Sequence, residues 1–331
     1  MTTILVAGGA GYIGSHTAKA LRAAGYRTVI YDNLSAGHAE AALGSPVVVG
    51  EIVDVPAVRQ AIRDHAVTGV LHFAAWVDVG ESVTRPLEYY RNNVAGTLGL
   101  LEAAVSEGCR HLVFSSTCAV YGDPATTPID EAYPTVPMSA YGQTKLAIER
   151  ALPHVERAHD MRSVCLRYFN AAGADPDGEL GEDHAPEIHL IPRAIEAAVG
   201  GTPLEIFGAD YPTPDGTCQR DYVHVTDLAD AHVRALRHLE GGGASLTCNL
   251  GTGQPSSVQD VIAAVERVTG RVVARRVAGR RPGDPSVLCA SAALARTVLD
   301  WRPRYPSLDD MVAHAWAWHL AHPSGYTGAL R

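Results

Sequence analysis

Residues 139 to 145 read SAYGQTK, and Tyr141 and Lys145 stand four apart. On a helix that spacing puts both side chains on one face about one turn apart. Lysine is scarce here: of 27 basic residues only Lys19 and Lys145 are lysines. A free phenol ionises near pH 10, so making it a base near neutrality requires about three pKa units, or ~4 kcal/mol. An ammonium about 4 Å away at an effective dielectric near 20 supplies ~4 kcal/mol, whereas a helix N-terminus supplies only ~0.3–1. The pair therefore reads as a proton-transfer couple, with Lys145 expected to lower the Tyr141 pKa. Upstream, VFSSTCAVYG (113–122) offers the hydroxyls of Ser115, Ser116 and Thr117 at the end of an apolar run. Such a hydroxyl can hydrogen-bond a substrate oxygen during proton transfer.

A second constellation lies at the N-terminus, where ILVAG runs into GGAGYIG with Gly8, Gly11 and Gly14 three apart. Glycine lets the backbone turn tightly and approach a pyrophosphate, whose charge meets the amides and positive end of the following helix. Asp32 closes the next apolar run, where a carboxylate accepts hydrogen bonds from both adenosine ribose hydroxyls and repels a 2′-phosphate. NAD is expected in preference to NADP.

The elements that must position these groups can be read from the same pattern. Near-continuous apolar runs at 4–8, 28–32, 46–50, 69–75, 111–116 and 163–169 have the composition of strands buried on both faces. Helical segments are predicted at 12–24, about 56–65, 86–107 and 140–158, the last entered through Ser139 as N-cap after Pro137. Alternation of this kind implies right-handed crossovers and a Rossmann-type, doubly wound parallel sheet. After Asn170 the chain turns rich in Gly, Pro and acidic residues, so residues 1–170 are expected to form the dinucleotide-binding domain, with part of 221–250 joining it. Residues 171–331 are expected to form a smaller, interleaved α/β lobe that binds substrate. The net charge of −9 argues against a nucleic-acid or anionic-membrane partner. Six cysteines without a C-x-x-C pair point to reduced thiols in the cytoplasm and to no zinc site, and the basic n-region of a signal peptide is missing.

Together GGAGYIG, DNLSAG (32–37), HFAA (72–75), NNVAGTL (92–98), SST, YGQTK and RYFNAAG (167–173) resemble the extended short-chain dehydrogenase/reductase superfamily. The distal segments GEDHAPEIHLIP (181–192), FGADYPTPDGTCQRDYVHVTDLADAH (207–232), NLGTG (249–253) and RRPGD (280–284) are similar to those of the UDP-glucose 4-epimerase family. The resemblance covers essentially the whole chain. It implies tightly held NAD contacted by the glycine loop with Tyr12 and Ile13, by Asp32, Asn33, Glu51, Ile52, Phe73, Ala74, Ala75, Asn93, Ser115, Tyr141, Lys145 and Phe169. It implies that Tyr141, assisted by Thr117, removes the proton of the sugar 4-hydroxyl. The diphosphate would fall to Arg220 and Arg281, whose planar guanidinium forks suit phosphate oxygens. Asn170, His189, Leu190, Phe207, Tyr222, Asp284 and Leu288 correspond to further UDP-sugar contacts. A homodimer, paired through the helices at 86–107 and 140–158, is implied as well.

The chain departs from the family pattern in several places. Thr117 stands where many members have serine, Glu51 replaces the commoner aspartate, Val77 stands where some carry lysine, and His189 replaces an asparagine. Leu288 occupies a position where tyrosine restricts, and cysteine admits, an N-acetylated sugar. Nucleotide-sugar dehydratases carry an Asp-Glu pair after the threonine, whereas Cys118 and Ala119 follow Thr117 here. A UDP-hexose 4-epimerase is therefore expected. UDP-xylose/arabinose, UDP-glucuronate and UDP-N-acetylglucosamine stay open as substrates. A non-enzymatic NAD sensor would have no need of the acid/base groups.

Overall fold

The computed structural model describes residues 2–281 and 283–326. Met1, Pro282 of the RRPGD stretch and the last five positions of the expected substrate lobe lie outside them. Six strands follow in chain order, β1 (Thr3–Ala7), β2 (Arg27–Asp32), β3 (Val47–Val49), β4 (Gly69–His72), β5 (His111–Thr117) and β6 (Arg162–Tyr168). Beyond them come β7 (Asn170–Ala172), β8 (Leu204–Phe207), β9 (Gln219–His224), β10 (Leu246–Leu250), β11 (Pro255–Ser257), β12 (Arg275–Ala278) and β13 (Val287–Leu288). The main sheet is all parallel, ordered β10-β6-β5-β4-β1-β2-β3, so the chain winds outward in both directions from β1. Its seventh strand comes from the distal half of the chain.

Buried strands alternate their side chains between two covered faces. In β1, Ile4 and Val6 enter one apolar cluster, whereas Leu5 and Ala7 enter the other. The first face is covered by α1 (Tyr12–Ala23) and, from the distal half, by Leu228, Leu236 and Leu239 of the helix Val225–Glu240. The second face is covered by α2 (Val55–Asp64), and by Leu100 and Ile148 of the helices Gly96–Ser106 and Ala140–His159. In chain order the remaining helices are α3 (Val79–Thr84), α4 (Pro86–Tyr89), α5 (Gly96–Ser106), α6 (Ala140–His159), α7 (Leu190–Ala198), α8 (Val225–Glu240), α9 (Val258–Thr269), α10 (Ala293–Val298) and α11 (Leu308–Ala321).

The continuous helix expected at 86–107 is interrupted. Tyr90–Ala95 forms a π-helical stretch between α4 and α5. The widened turn carries Asn93, whose side chain exchanges hydrogen bonds with the backbone of Trp76 (2.9 and 3.0 Å) and donates to Thr144 Oγ1 at 3.1 Å. The π segment thereby ties the loop after β4 to α6, a local use of the kind π-bulges often serve.

The distal residues build a second apolar cluster around α7, α9 and α11, with Leu204 and Ile206 of β8 and Tyr222 of β9. Strand β9 is central to a small sheet, flanked by β11, β13 and β7. The Asp221 carboxylate accepts from the amides of Thr252, Gly253 and Ala290 (2.8, 3.0 and 3.1 Å), which locks β9 to the NLGTG loop and to the chain beyond β13. A junction cluster of Cys118, Tyr121, Phe169, Leu288 and Ala290 joins this sheet to the ends of β5 and β6.

Candidate active site

Helix α6 starts where the sequence signals it: Ser139 adopts an extended backbone and its hydroxyl accepts from the Gly142 amide at 3.1 Å. Tyr141, Lys145 and Glu149 then follow at four-residue intervals, and all three side chains are buried. Helix and strand are pinned in register by a polar network. Ser116 Oγ donates to Glu149 Oε1 at 2.5 Å, and Glu149 pairs with Arg167 of β6 at 2.5 Å. Arg167 in turn donates to the Tyr121 hydroxyl at 2.9 Å, which donates to Asn249 at 2.7 Å. Lys145 Nζ donates to the Ser115 carbonyl at 2.8 Å and lies 4.9 Å from the centre of the Phe114 ring. The Ser115 hydroxyl is hydrogen-bonded to the Tyr168 hydroxyl.

The electrostatics correct one expectation. Burial pushes the Tyr141 phenol above its ordinary value, and a hydrogen bond with the Thr117 hydroxyl is the chief opposing influence. Burial also drives the Lys145 ammonium down from 10.5 to about 7, against the attraction of Glu149. The same desolvation that isolates Tyr141 penalises the ammonium, so the Lys145 charge weakens as pH rises toward and past neutrality. Thr117, Tyr141 and Lys145 nevertheless share one buried corner at the carboxyl end of β5, where parallel sheets bind ligands.

To one side lies the glycine turn. Gly8 has φ +76°, and a Cβ there would stand 2.4 Å from the Ala74 amide nitrogen. A Cβ on Gly14 would meet the Gly8 carbonyl at 2.2 Å. These two glycines are required by backbone packing. Gly11 differs: a Cβ on it would have only the Gly8 carbonyl nearby, at 3.5 Å. It is the N-cap of α1 and offers no side chain to the first-turn amides. The amides of Tyr12 and Ile13 precede the first intrahelical bond, made by Ser15 to Gly11, so the turn fits a diphosphate.

Asp32, at the carboxyl end of β2, accepts from the amides of Ala10 (3.0 Å) and Leu34 (2.9 Å). Burial raises its pKa and these amides oppose the rise. Each carboxylate oxygen keeps a further lone pair that a ribose hydroxyl can use. Asn33 Nδ2 reaches both Glu51 oxygens (3.1 and 3.2 Å), forming the outer wall beside buried Ile52. Phe73 and Ala74 leave β4 with both amides on the Ala7 carbonyl (2.7 and 3.0 Å) and lead on to Ala75, while the Phe73 ring packs 4.7 Å from His232. Asn93 hydrogen-bonds the Trp76 backbone, and Phe169 belongs to the junction cluster.

To the other side is a cavity of about 180 Å³ that brings together Asn170, His189, Leu190, Phe207, Arg220, Tyr222, Arg281 and Asp284. An adjoining space of about 370 Å³ shares Arg281 and Asp284 and is bounded by Asp123, Tyr211 and Arg280. The Arg281 guanidinium lies 3.8 Å over the Phe207 ring. Arg220 forms an ion pair with Asp284, so one of the expected diphosphate cations already has an anionic partner. Leu288 does not line this cavity. It is register-paired with Arg220 across β13 and β9 and buried against the junction cluster.

The model of the NAD-dependent epimerase/dehydratase family matches residues 4–251. A UDP-glucose 4-epimerase of Halalkalibacterium halodurans is 50% identical over 325 residues, covering 98% of this chain and 97% of its own. The chain belongs to the NAD-dependent epimerase/dehydratase family. Its relatives place it in the UDP-glucose 4-epimerase branch. The Azospirillum brasilense enzyme of that name is 50% identical over 330 residues, covering 98% of this chain and 95% of its own. The crystal structure of the Brucella ovis UDP-glucose 4-epimerase in complex with NAD superposes with a TM-score of 0.93 at 49% identity, covering 96% and 98% of the two chains. That from Stenotrophomonas maltophila, with bound NAD and formylated UDP-arabinopyranose, gives 0.94 at 40% identity and 98% and 99% coverage.

In this epimerase-family chain the structure adds residues that the sequence reading passed over. Glu149 and Arg167 hold α6 to β5 and β6, and the i, i+4 spacing from Lys145 to Glu149 was the available signal. Glu182, His184 and Glu187 surround His189, and the repeat E-x-H-x-x-E-x-H in 182–189 announced them. Their carboxylates raise the pKa of His184 to about 9 and lift that of His189 as well, while Glu187 is lowered to about 2 by the two imidazoles against the effect of its burial.

Proposed function

We propose that this chain inverts the configuration at C4 of a UDP-hexose, interconverting UDP-glucose and UDP-galactose. The observation that carries the reading is the corner formed by Thr117, Tyr141 and Lys145, set between a glycine turn that fits a dinucleotide diphosphate and a cavity with Arg220 and Arg281. Residues 1–170 with part of 221–250 carry the dinucleotide, and the remainder of the chain carries the UDP-sugar. NAD, held by the glycine turn and Asp32, would supply the hydride acceptor and donor for C4. Tyr141 takes the proton of the 4-hydroxyl and later gives it back, while Thr117 holds that oxygen. Lys145, anchored on the Ser115 carbonyl, orients the ribose and exchanges charge with the tyrosine. Arg281, stacked on Phe207, and Arg220 secure the diphosphate, the latter by exchanging Asp284 for a phosphate oxygen. Because proton and hydride both return, no net redox change results.

Incubation with UDP-galactose, followed by NMR at C4, is expected to reach the UDP-glucose mixture from either side. A 4-keto-6-deoxy product would overturn the reading, and Cys118 and Ala119 after Thr117 provide no carboxyl group for such an elimination. Tyr141→Phe is expected to keep NAD and lose a factor of about 10²–10⁴ in turnover. The panel should include pentose, uronate and N-acetylated UDP-sugars, since Leu288 lies outside the cavity lining and does not select among them.

A homodimer in the cytoplasm completes the proposal. Leu87, Tyr90 and Leu98 of the α4-to-α5 segment are 78%, 42% and 46% exposed. Among the described residues no helix is long and apolar enough to cross a membrane. Light scattering after size exclusion should give twice the chain mass, and Leu87→Glu should give the monomer.

A further inference from the structure

Two clusters of acidic and imidazole groups lie in the loop between β7 and α7, and they differ in what holds them together. In the first, Asp175, Asp177 and Glu179 surround Lys19 Nζ at 2.6, 2.9 and 2.7 Å. Its cation is part of the chain. In the second, Glu182 and Glu187 face two imidazoles instead of a lysine. One donor atom from each of Glu182, His184, Glu187 and His189 lies within 4.8 Å of all the others. Glu182 Oε1 and His184 Nδ1 are buried, yet neither has a hydrogen bond of acceptable geometry. The Glu182 side chain is only 6% exposed. The four side chains converge on one point, where each imidazole Nδ1 faces both carboxylates.

The separations define that point. The donor pairs stand 2.6 Å (His189 Nδ1 to Glu182 Oε1), 3.2 Å (His189 Nδ1 to Glu187 Oε1), 3.3 Å (His184 Nδ1 to Glu182 Oε1) and 3.7 Å (His184 Nδ1 to Glu187 Oε2) apart. Zinc bonds of about 2.0–2.2 Å to nitrogen and oxygen give a tetrahedron with edges of about 3.3–3.6 Å; three of the four separations lie at or beside that edge, whereas His189 Nδ1 and Glu182 Oε1, 2.6 Å apart, are in direct contact and separate when the ion enters. The four ligands fall within eight residues, so ordering them closes only short loops. Glu187 is already held in place, since its Oε1 accepts from the amides of Ile188 and His189, both at 2.8 Å.

We propose that Glu182, His184, Glu187 and His189 form a binding site for one divalent zinc-type cation. Two imidazole nitrogens and two carboxylate oxygens suit zinc, whereas magnesium and calcium take all-oxygen sets. The ion takes the place of the protons that the two imidazoles hold against the carboxylates, and those protons are released to solvent. Its position assigns it a role in shaping the binding sites. Glu182 and His189 also line the sugar-nucleotide cavity, and the His184 ring lies 6.4 Å from that of Tyr12 in the glycine turn. The ion therefore braces the cavity wall against the dinucleotide loop and takes no part in proton or hydride movement. The unpaired cysteines pointed away from zinc, but this donor set contains no cysteine.

The test uses the NAD-loaded full chain, stripped with EDTA and titrated with Zn²⁺ by calorimetry, with Mg²⁺ in parallel and X-ray absorption at the zinc edge. One Zn²⁺ per chain, a shell of nitrogen and oxygen, and a higher melting temperature are expected. His184→Ala and Glu187→Gln should each weaken Zn²⁺ binding by about tenfold or more and abolish the thermal shift. Sulfur in the shell, Mg²⁺ binding as tight as Zn²⁺, no binding by the wild type, or full-affinity binding by either folded variant would each refute the site. If one variant fails to fold, the other variant and the absorption spectrum of the wild type decide.

Discussion

Replacing Lys145 with methionine should cost activity and raise stability. The lysine is buried, and burial brings its pKa from 10.5 to about 7. Between those values the unfolded chain binds a proton that the folded chain gives up, so stability rises with pH across that window. Below pH 7 the folded state bears the full penalty. A fall from 10.5 to about 7 corresponds to ~5 kcal/mol, and the linkage relation leaves less than ~1 kcal/mol of it at pH 10. Methionine fills similar volume without a charge, but it leaves the Ser115 carbonyl, which now accepts from Lys145 at 2.8 Å, without that donor at about 1–3 kcal/mol. The variant should therefore gain about 2–4 kcal/mol at pH 6. At roughly 2.1 cal/mol/K of unfolding entropy per residue, 331 residues give about 1.4 °C per kcal/mol, hence an increase of about 3–6 °C. The assay is thermal unfolding of NAD-free wild type and variant from pH 6 to 10, paired with turnover at each pH. The gain should shrink steadily and vanish or reverse by pH 10, while turnover falls about a hundredfold or more throughout. A variant destabilised equally at every pH would refute the reasoning, since it would mean that Lys145 is fully charged in the fold.

Gly8→Ala places a Cβ 2.4 Å from the Ala74 amide at φ +76°, so a loss of about 1–3 kcal/mol and poor NAD retention are expected, read by denaturation and by absorbance of the purified protein. Gly11→Ala has room, with its nearest contact at 3.5 Å; it should fold normally and weaken NAD alone. Arg167→Met breaks the buried pair with Glu149 and should lose about 3–5 kcal/mol, part of it recovered in the double variant with Glu149→Gln. A loss below about 1 kcal/mol in the single variant would show that the pair does not hold α6 in place.

What the sequence determined by itself is local or periodic. Apolar runs marked the first six strands because a strand covered on both faces cannot alternate. Gly8 and Gly14 announced a dinucleotide turn because backbone sterics exclude a side chain there, and Gly11 and Asp32 joined them by leaving amides open and placing a carboxylate at the end of β2. Ser139 and the four-residue spacing placed Tyr141 and Lys145 on one face of α6. Only the tertiary structure decided what depends on burial and on distant partners. It moved the Lys145 pKa down to about 7, paired Arg220 with Asp284, bonded Asn93 to the Trp76 backbone, buried Leu288 and turned 182–189 into a cluster of converging donors. It also brought β10 from the distal half to complete the main sheet. Spacing along a chain fixes which side chains are neighbours on one element, but charge states and free hydrogen-bonding capacity follow from how elements pack and exclude water.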